Sequence, residues 1–230
     1  MNGAETVLAT VTTFVVTHFL LSHPLRRPLV AALGEKGFLG VYSLVAVATL
    51  GATVWAYRMA EVTPLLWEVG GGLWAISTIL MLLASVLLMG SLMRNPALVG
   101  AQSSAATASA RGVYAVTRHP MMWAFAVWGV AHILIYPVTK NIILSGAIIV
   151  LSLVGAAFQD HKKATLDPQG WSAWIERTSY LPFAAIIAGR AKLGGFGTHA
   201  LAGGLILWLA ATWAHIPLAG WPAGIWRWIV

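Results

Sequence analysis

The chain reads as an all-α membrane protein, a polytopic bundle of about six transmembrane helices with both termini outside. Three observations predict this class. Hydrophobic residues make up 59% of the 230 and charged residues only 9%, where a water-soluble domain carries about 25% charged residues. The mean hydropathy is +0.79. The apolar residues fall into runs close to the roughly 20 that a helix needs to cross about 30 Å of hydrocarbon. Seven acidic and fourteen basic side chains cannot clothe a water-facing surface of this size. An ordinary soluble enzyme, a disordered chain and a secreted disulfide scaffold are excluded.

The elements follow in order. The first span, about Val7 to Leu21, comes after Glu5 without a basic leader, so it is expected to stay as a helix rather than be cleaved as a signal peptide. It stops at His23 and Pro24. The second runs from about Gly37, past a turn at Gly34 to Lys36, to Tyr57, and Pro64 follows it. The third covers about Gly72 to Met93 and meets Asn95 and Pro96. The fourth, about Met121 to Val138, starts behind Pro120, which suits a first helical turn because that N–H is unpaired anyway. The fifth, about Ile142 to Phe158, lies so few residues further on that the two must form a tight helical hairpin. Trp171 to Arg177 reads as a short amphipathic helix at the membrane interface. The sixth span is about Thr198 to Leu218.

Basic residues set the orientation. The loops after spans one, three and five hold Arg26, Arg27, Lys36, Arg94, Arg111, Arg118, Lys162, Lys163, Arg177, Arg190 and Lys192, and the opposite side has Arg58, Lys140 and Arg227. By the positive-inside rule, this 11-to-3 division of all 14 bases makes the three rich loops cytoplasmic. The net charge of +7 therefore reports topology; no soluble basic domain is present to take nucleic acid. Trp55, Trp67, Trp74, Trp208, Trp213, Trp221, Trp226 and Trp228 gather on the outer side, as in an aromatic belt at headgroup depth.

There is no cysteine, which excludes disulfides, iron–sulfur clusters and thiolate-ligated or covalently attached haem. Metal ligands must come from seven histidines, carboxylates or methionines. His18 lies within the first span and His23 ends it, while His119 opens the fourth span and His132 lies deep in it. His161, His199 and His215 sit at the ends of later elements. At 1.5 Å per residue, His132 lies about 19 Å from the cytoplasmic end of its helix. A neutral imidazole there needs either a hydrogen-bond partner on a neighbouring helix or a metal. Haem suits the second possibility, since two histidines on facing helices hold it in a bundle core. Gly129 and Ala131 are small enough to admit a flat macrocycle. Arg118, about 40° from the face of His132 by helical rotation, is placed to hold a propionate or simply to snorkel. Asp160 is read as the ion-pair partner of a nearby base rather than as a catalytic acid.

Thr117-Arg118-His119-Pro120, Trp128 with Ala131 and His132, Asp160, and the run from Arg177 through Pro182 and Phe183 to Gly189 and Arg190 resemble the NnrU family, the bacterial membrane family related to zeta-carotene isomerase. Ser22-His23, the turn at Gly34 to Gly37 and Tyr42-Ser43 fit as well. The resemblance makes residues 1–230 a single NnrU-like transmembrane domain, with a family core at about 7–190 and an additional C-terminal span at about 198–218. It implies a multi-pass protein of the bacterial inner membrane carrying haem b as its iron cofactor. His23 and His132 are implied as axial metal ligands; because His23 ends its span near the cytoplasmic face and His132 lies well past the middle of another, His119 stands as the substitute partner of His23. It further implies support of denitrification, with proteins of the nitrite or nitric oxide reductase system and membrane lipid as partners. The other branch implies a haem-dependent cis–trans isomerase of a polyene or isoprenoid substrate. That branch has a cysteine near the second histidine, and this chain has none. A weaker, architectural likeness is to the isoprenylcysteine and phospholipid methyltransferases, although Asp160 and His161 stand where those have paired glutamates.

Overall fold

In a computed structural model describing residues 2–97, 105 and 108–230, the chain is helical throughout, with no strand among the described residues. The helices are α1 (Gly3–Ser22), α2 (Arg26–Met59), α3 (Gly71–Ser91), α4 (Val113–Val116), α5 (Pro120–Ile135), α6 (Thr139–Leu166), α7 (Pro168–Arg177), α8 (Ala184–Ile187) and α9 (Thr198–Ala219), followed by a 3₁₀ turn at Gly224–Trp228. Five of them (α1, α2, α3, α6 and α9) are long and apolar enough to cross a membrane, and α5 is a shorter apolar helix of 16 residues. These six correspond to the six expected spans.

Local chemistry explains where the helices begin and end. Asn2 and Glu5 form a reciprocal capping box at the start of α1. Pro120 and Pro168 open α5 and α7, and the Asp167 carboxylate caps α7 by accepting from the Gly170 N–H at 3.0 Å. The expected turn at Gly34 is a break inside α2. Gly34 alone leaves helical geometry, with φ of 70°, a region open to glycine, and Arg26 reaches across the break to Glu35 at 2.9 Å. Only Tyr136, Pro137 and Val138 separate α5 from α6, and Asn141 satisfies the end of α5 by donating to the carbonyls of His132 (3.0 Å) and Tyr136 (2.7 Å).

The spanning helices form a row in the order α2, α1, α6, α5, α3, α9, each packed mainly against its immediate neighbours. With little apolar burial to gain inside lipid, such contacts depend on small residues and interhelical hydrogen bonds. A Cβ on Gly204 of α9 would lie 2.8 Å from Cα of Val86 on α3, and one on Gly129 of α5 would lie 2.9 Å from the Ser145 carbonyl of α6. Gly129 therefore serves helix packing rather than the approach of a macrocycle. Ser77 of α3 donates to the Ala131 carbonyl at 3.2 Å. Large apolar side chains such as Leu44, Val47, Ile206 and Leu218 point outward, as lipid-facing residues should.

Amphipathic α7 departs from its expected setting. Trp171 and Trp174 are both fully buried, packed with Tyr114 and Ala200. Its apolar face covers the protein's own core instead of lying in the interface. Two tryptophans of the expected aromatic belt also differ. Trp55, Trp67, Trp213, Trp221 and Trp228 are exposed, whereas Trp74 and Trp208 are buried.

Candidate functional site

The residues ahead of α5 and after α7 build a knot rather than an open site. Arg118 donates to Asp160 through Nε at 2.8 Å, and His119 Nε2 donates to the same carboxylate at 2.7 Å. The expected ion pair of Asp160 is thus made, with Arg118 as partner. The segment before α5 is pinned to the chain after α7. The Arg118 N–H donates to the Ser179 carbonyl (2.8 Å), the Thr117 hydroxyl to the Tyr180 carbonyl (2.8 Å) and the Phe183 N–H to the Val116 carbonyl (2.7 Å). Trp123 Nε1 donates to the Tyr180 carbonyl at 2.9 Å. Arg190 closes the end of α7 by donating to the carbonyls of Ile175, Glu176 and Thr178. Burial pushes the phenols of Tyr114 and Tyr180 above their ordinary value. These contacts explain why Thr117 to Pro120 and Arg177 to Arg190 stand out together in the sequence: they form one structural unit. Arg118 and His119 line neither of the cavities described next. The bare Nδ1 of His119 is buried without a partner.

Two cavities lie within the row. One, with a volume of about 190 Å³, is a cleft with α3 as its floor and α5 and α9 as its walls, lined by residues including Trp74, Trp128, His132, Trp208 and His215. The second, about 330 Å³, lies among α1, α2, α5 and α6 and is lined by residues including His18, His23, Tyr42, Ser152 and Lys162. Phe125 borders both. His23 and His132 therefore occupy different cavities. The ring nearest His132 across the cleft is that of His215, with ring centres 6.2 Å apart; the His23 ring lies against Phe158 at 4.7 Å.

The hydrogen bonds fix the tautomers of all four cavity histidines. His18, His132 and His215 each have Nδ1 against the carbonyl four residues earlier, Phe14 (3.1 Å), Trp128 (2.8 Å) and Ala211 (2.8 Å). A carbonyl only accepts, so Nδ1 carries the proton and Nε2 of the neutral ring is a bare lone pair. His23 reaches the same state indirectly. The Ser22 hydroxyl donates to the His18 carbonyl at 2.5 Å, so its oxygen accepts from His23 Nδ1 at 2.8 Å. Nε2 of His23 is buried with no partner. An Nδ1–H held by a backbone carbonyl with a free Nε2 is the arrangement that presents histidine to a metal. The set fits haem: neutral nitrogen ligands in apolar cavities, with no thiolate needed. In the first cleft, Trp208 Nε1 and Thr78 Oγ1 are further buried polar atoms without partners.

The NnrU protein family model matches residues 6–223. The chain belongs to the NnrU family. The matched region runs through α9, so the last span lies within it. A curated relative of this NnrU-family chain is the chloroplastic 15-cis-zeta-carotene isomerase of Zea mays, 35% identical over 82 residues, which is 36% of this chain and 22% of that protein. The match thus spans about a fifth of the relative's length. No solved structure matches.

Sequence reasoning missed His215 as a site residue and missed Trp74 and Trp208 as cavity walls. The signal for His215 was present: like His132, it lies about a turn from the C-terminal end of its helix.

Proposed function

We propose that this NnrU-family protein binds haem b within the bacterial cytoplasmic membrane and supports the nitrite- and nitric-oxide-reducing system of denitrification. One observation carries the haem reading. Four cavity-lining histidines have Nδ1 occupied by a backbone carbonyl or a hydroxyl and Nε2 left as a free lone pair. Haem supplies a redox-active iron able to bind a small gas. The protein's own side chains would hold that iron and keep bulk water away, and His132, onto which one of the isomerase branch's axial histidines falls by position, is the proposed ligand. The NnrU resemblance and the lack of a sulfur ligand favour an accessory role, with reductase-system proteins and membrane lipid as partners.

The second reading is haem-dependent cis–trans isomerisation of a carotene-like polyene. The match to the Zea mays zeta-carotene isomerase favours it. The methyltransferase likeness gains nothing from Asp160, whose oxygens are occupied by Arg118 and His119.

Pyridine haemochrome analysis of detergent-purified protein from haem-replete cells tests the cofactor, and a folded but colourless preparation refutes it. Expression in dark-grown bacteria that accumulate cis-zeta-carotene separates the two roles. Conversion to the trans-centred isomer, lost in His132→Ala, establishes the enzyme; no conversion by haem-loaded protein leaves the accessory role standing.

A further inference from the structure

We propose that His215, on the last helix, is the second axial ligand to the iron held by His132, so that the haem stands in the cleft between α5 and α9. This rests on the haem reading above and replaces His23 as the partner of His132. Several independent observations support it. The two rings face each other across one cleft, with centres 6.2 Å apart and planes inclined by 34°. Bonds of about 2 Å from a metal to each imidazole nitrogen, plus about 1 Å from nitrogen to ring centre, separate two trans ligands by roughly 6 Å between centres. Both histidines lie in the same tautomer, each fixed by the carbonyl four residues earlier at 2.8 Å. They match in depth as well, since each lies about one turn from the outer end of its helix.

The surrounding residues support the same site. Both walls rest on α3 and have little direct contact with each other, which leaves a slot for a planar group. Aromatic rings line it: Trp128 lies 4.1 Å from the His132 ring, and buried Trp74 and Trp208 flank the floor and far wall. Trp208, which lines the cleft, has a buried and unpartnered Nε1–H. At the outer end, the Arg227 guanidinium lies 4.3 Å over the ring of Trp74, where a cation can meet a carboxylate such as a propionate. His23 offers no comparable pairing. Its ring neighbour is Phe158, and the other histidine of its cavity, His18, has ring contacts with Phe14 and Tyr42.

Absorption and electron paramagnetic resonance spectra of the purified full-length protein and three variants provide the test, read alongside haem content per chain. Wild type should show a low-spin six-coordinate haem. His215→Ala should become high-spin or lose most of its haem, and added imidazole should restore the low-spin signature by filling the vacated position. Where His215→Ala retains no haem at all, His215→Met should hold it with an altered axial ligand field. His132→Ala should lose the haem, while His23→Ala should keep the wild-type spectrum. A high-spin His23→Ala beside an unchanged His215→Ala overturns the His132–His215 pair and leaves the haem reading intact. A folded wild type without haem overturns both.

Discussion

Replacing Asp160 by alanine removes the carboxylate that holds Arg118 and His119 together. The side chains of Arg118 and Asp160 are 11% and 16% exposed, and that of His119 is 1% exposed, so the pair is largely out of solvent. Deleting one partner of a buried pair costs about 3–5 kcal/mol, because the other charge stays buried and uncompensated. Residual exposure places the cost near the lower end, at about 3 kcal/mol. For a chain of this length, each kcal/mol moves the unfolding midpoint by about 2–4 °C, so Asp160→Ala should lower it by roughly 6–12 °C. Asp160→Asn keeps one acceptor and should lose less. Arg118→Leu combined with Asp160→Leu removes both charges at once and should destabilise less than Asp160→Ala, although it deletes more hydrogen bonds. Tryptophan fluorescence during thermal unfolding in detergent reports all three, since Trp123 and Trp171 lie beside the network. An Asp160→Ala midpoint within about 2 °C of wild type, or a double variant less stable than the single one, refutes the reasoning.

Three further outcomes are expected. Gly204→Ala places a methyl 2.8 Å from Cα of Val86, and such overpacking costs about 1–3 kcal/mol; by shifting α9 on α3 it should also reduce haem retention, measured as haem per chain. A reporter active only in the periplasm should work when fused after Val230 and fail near Ala105, because 11 of 14 bases lie on the opposite side; cytoplasmic activity at the C-terminus would overturn the orientation. The Tyr114 phenol, which donates to the carbonyls of Ser91 and Met93, is held neutral by burial and raised above its ordinary value. Its contribution is complete below about pH 10, where unfolded tyrosine is still protonated, and stability should fall above it by up to about 1.4 kcal/mol per pH unit; Tyr114→Phe should flatten that loss in alkaline unfolding curves.

The spans were legible because hydrocarbon imposes length and composition directly on the chain, and the Asp160 pairing because a lone acid at a basic membrane face needs a partner. The role of Arg118 was not. Helical rotation relative to His132 assumed that α5 reaches back to Arg118, whereas the helix starts at Pro120 and the partner of Arg118 sits on α6, 42 residues away in sequence. The same limit hid the ligand geometry. Depth arithmetic places His132 near the outer end of its span and His23 near the inner end of another, a mismatch that the two separate cavities bear out. His215 matches His132 in depth, but no periodicity shows that α5 and α9 flank α3. Belt tryptophans and cleft tryptophans look identical in a chain, since the indole ring suits both a headgroup layer and a cavity wall; only the neighbours of Trp74 and Trp208 separate them from exposed Trp55 and Trp213.

The single-file arrangement of the helices has a consequence for how molecules reach the protein. In a closed bundle, a ligand enters from water through an end. Here the floor of the cleft is one helix, its walls are two others and Ala223 and Gly224 close part of it, so in a bilayer the remaining side would face acyl chains. An apolar molecule dissolved in the bilayer would arrive by diffusion in two dimensions, and its occupancy would follow its number per lipid rather than its molarity in the buffer. Affinities measured in detergent would then change with the volume of micelle in the sample, and nanodiscs of defined lipid content would give the meaningful scale.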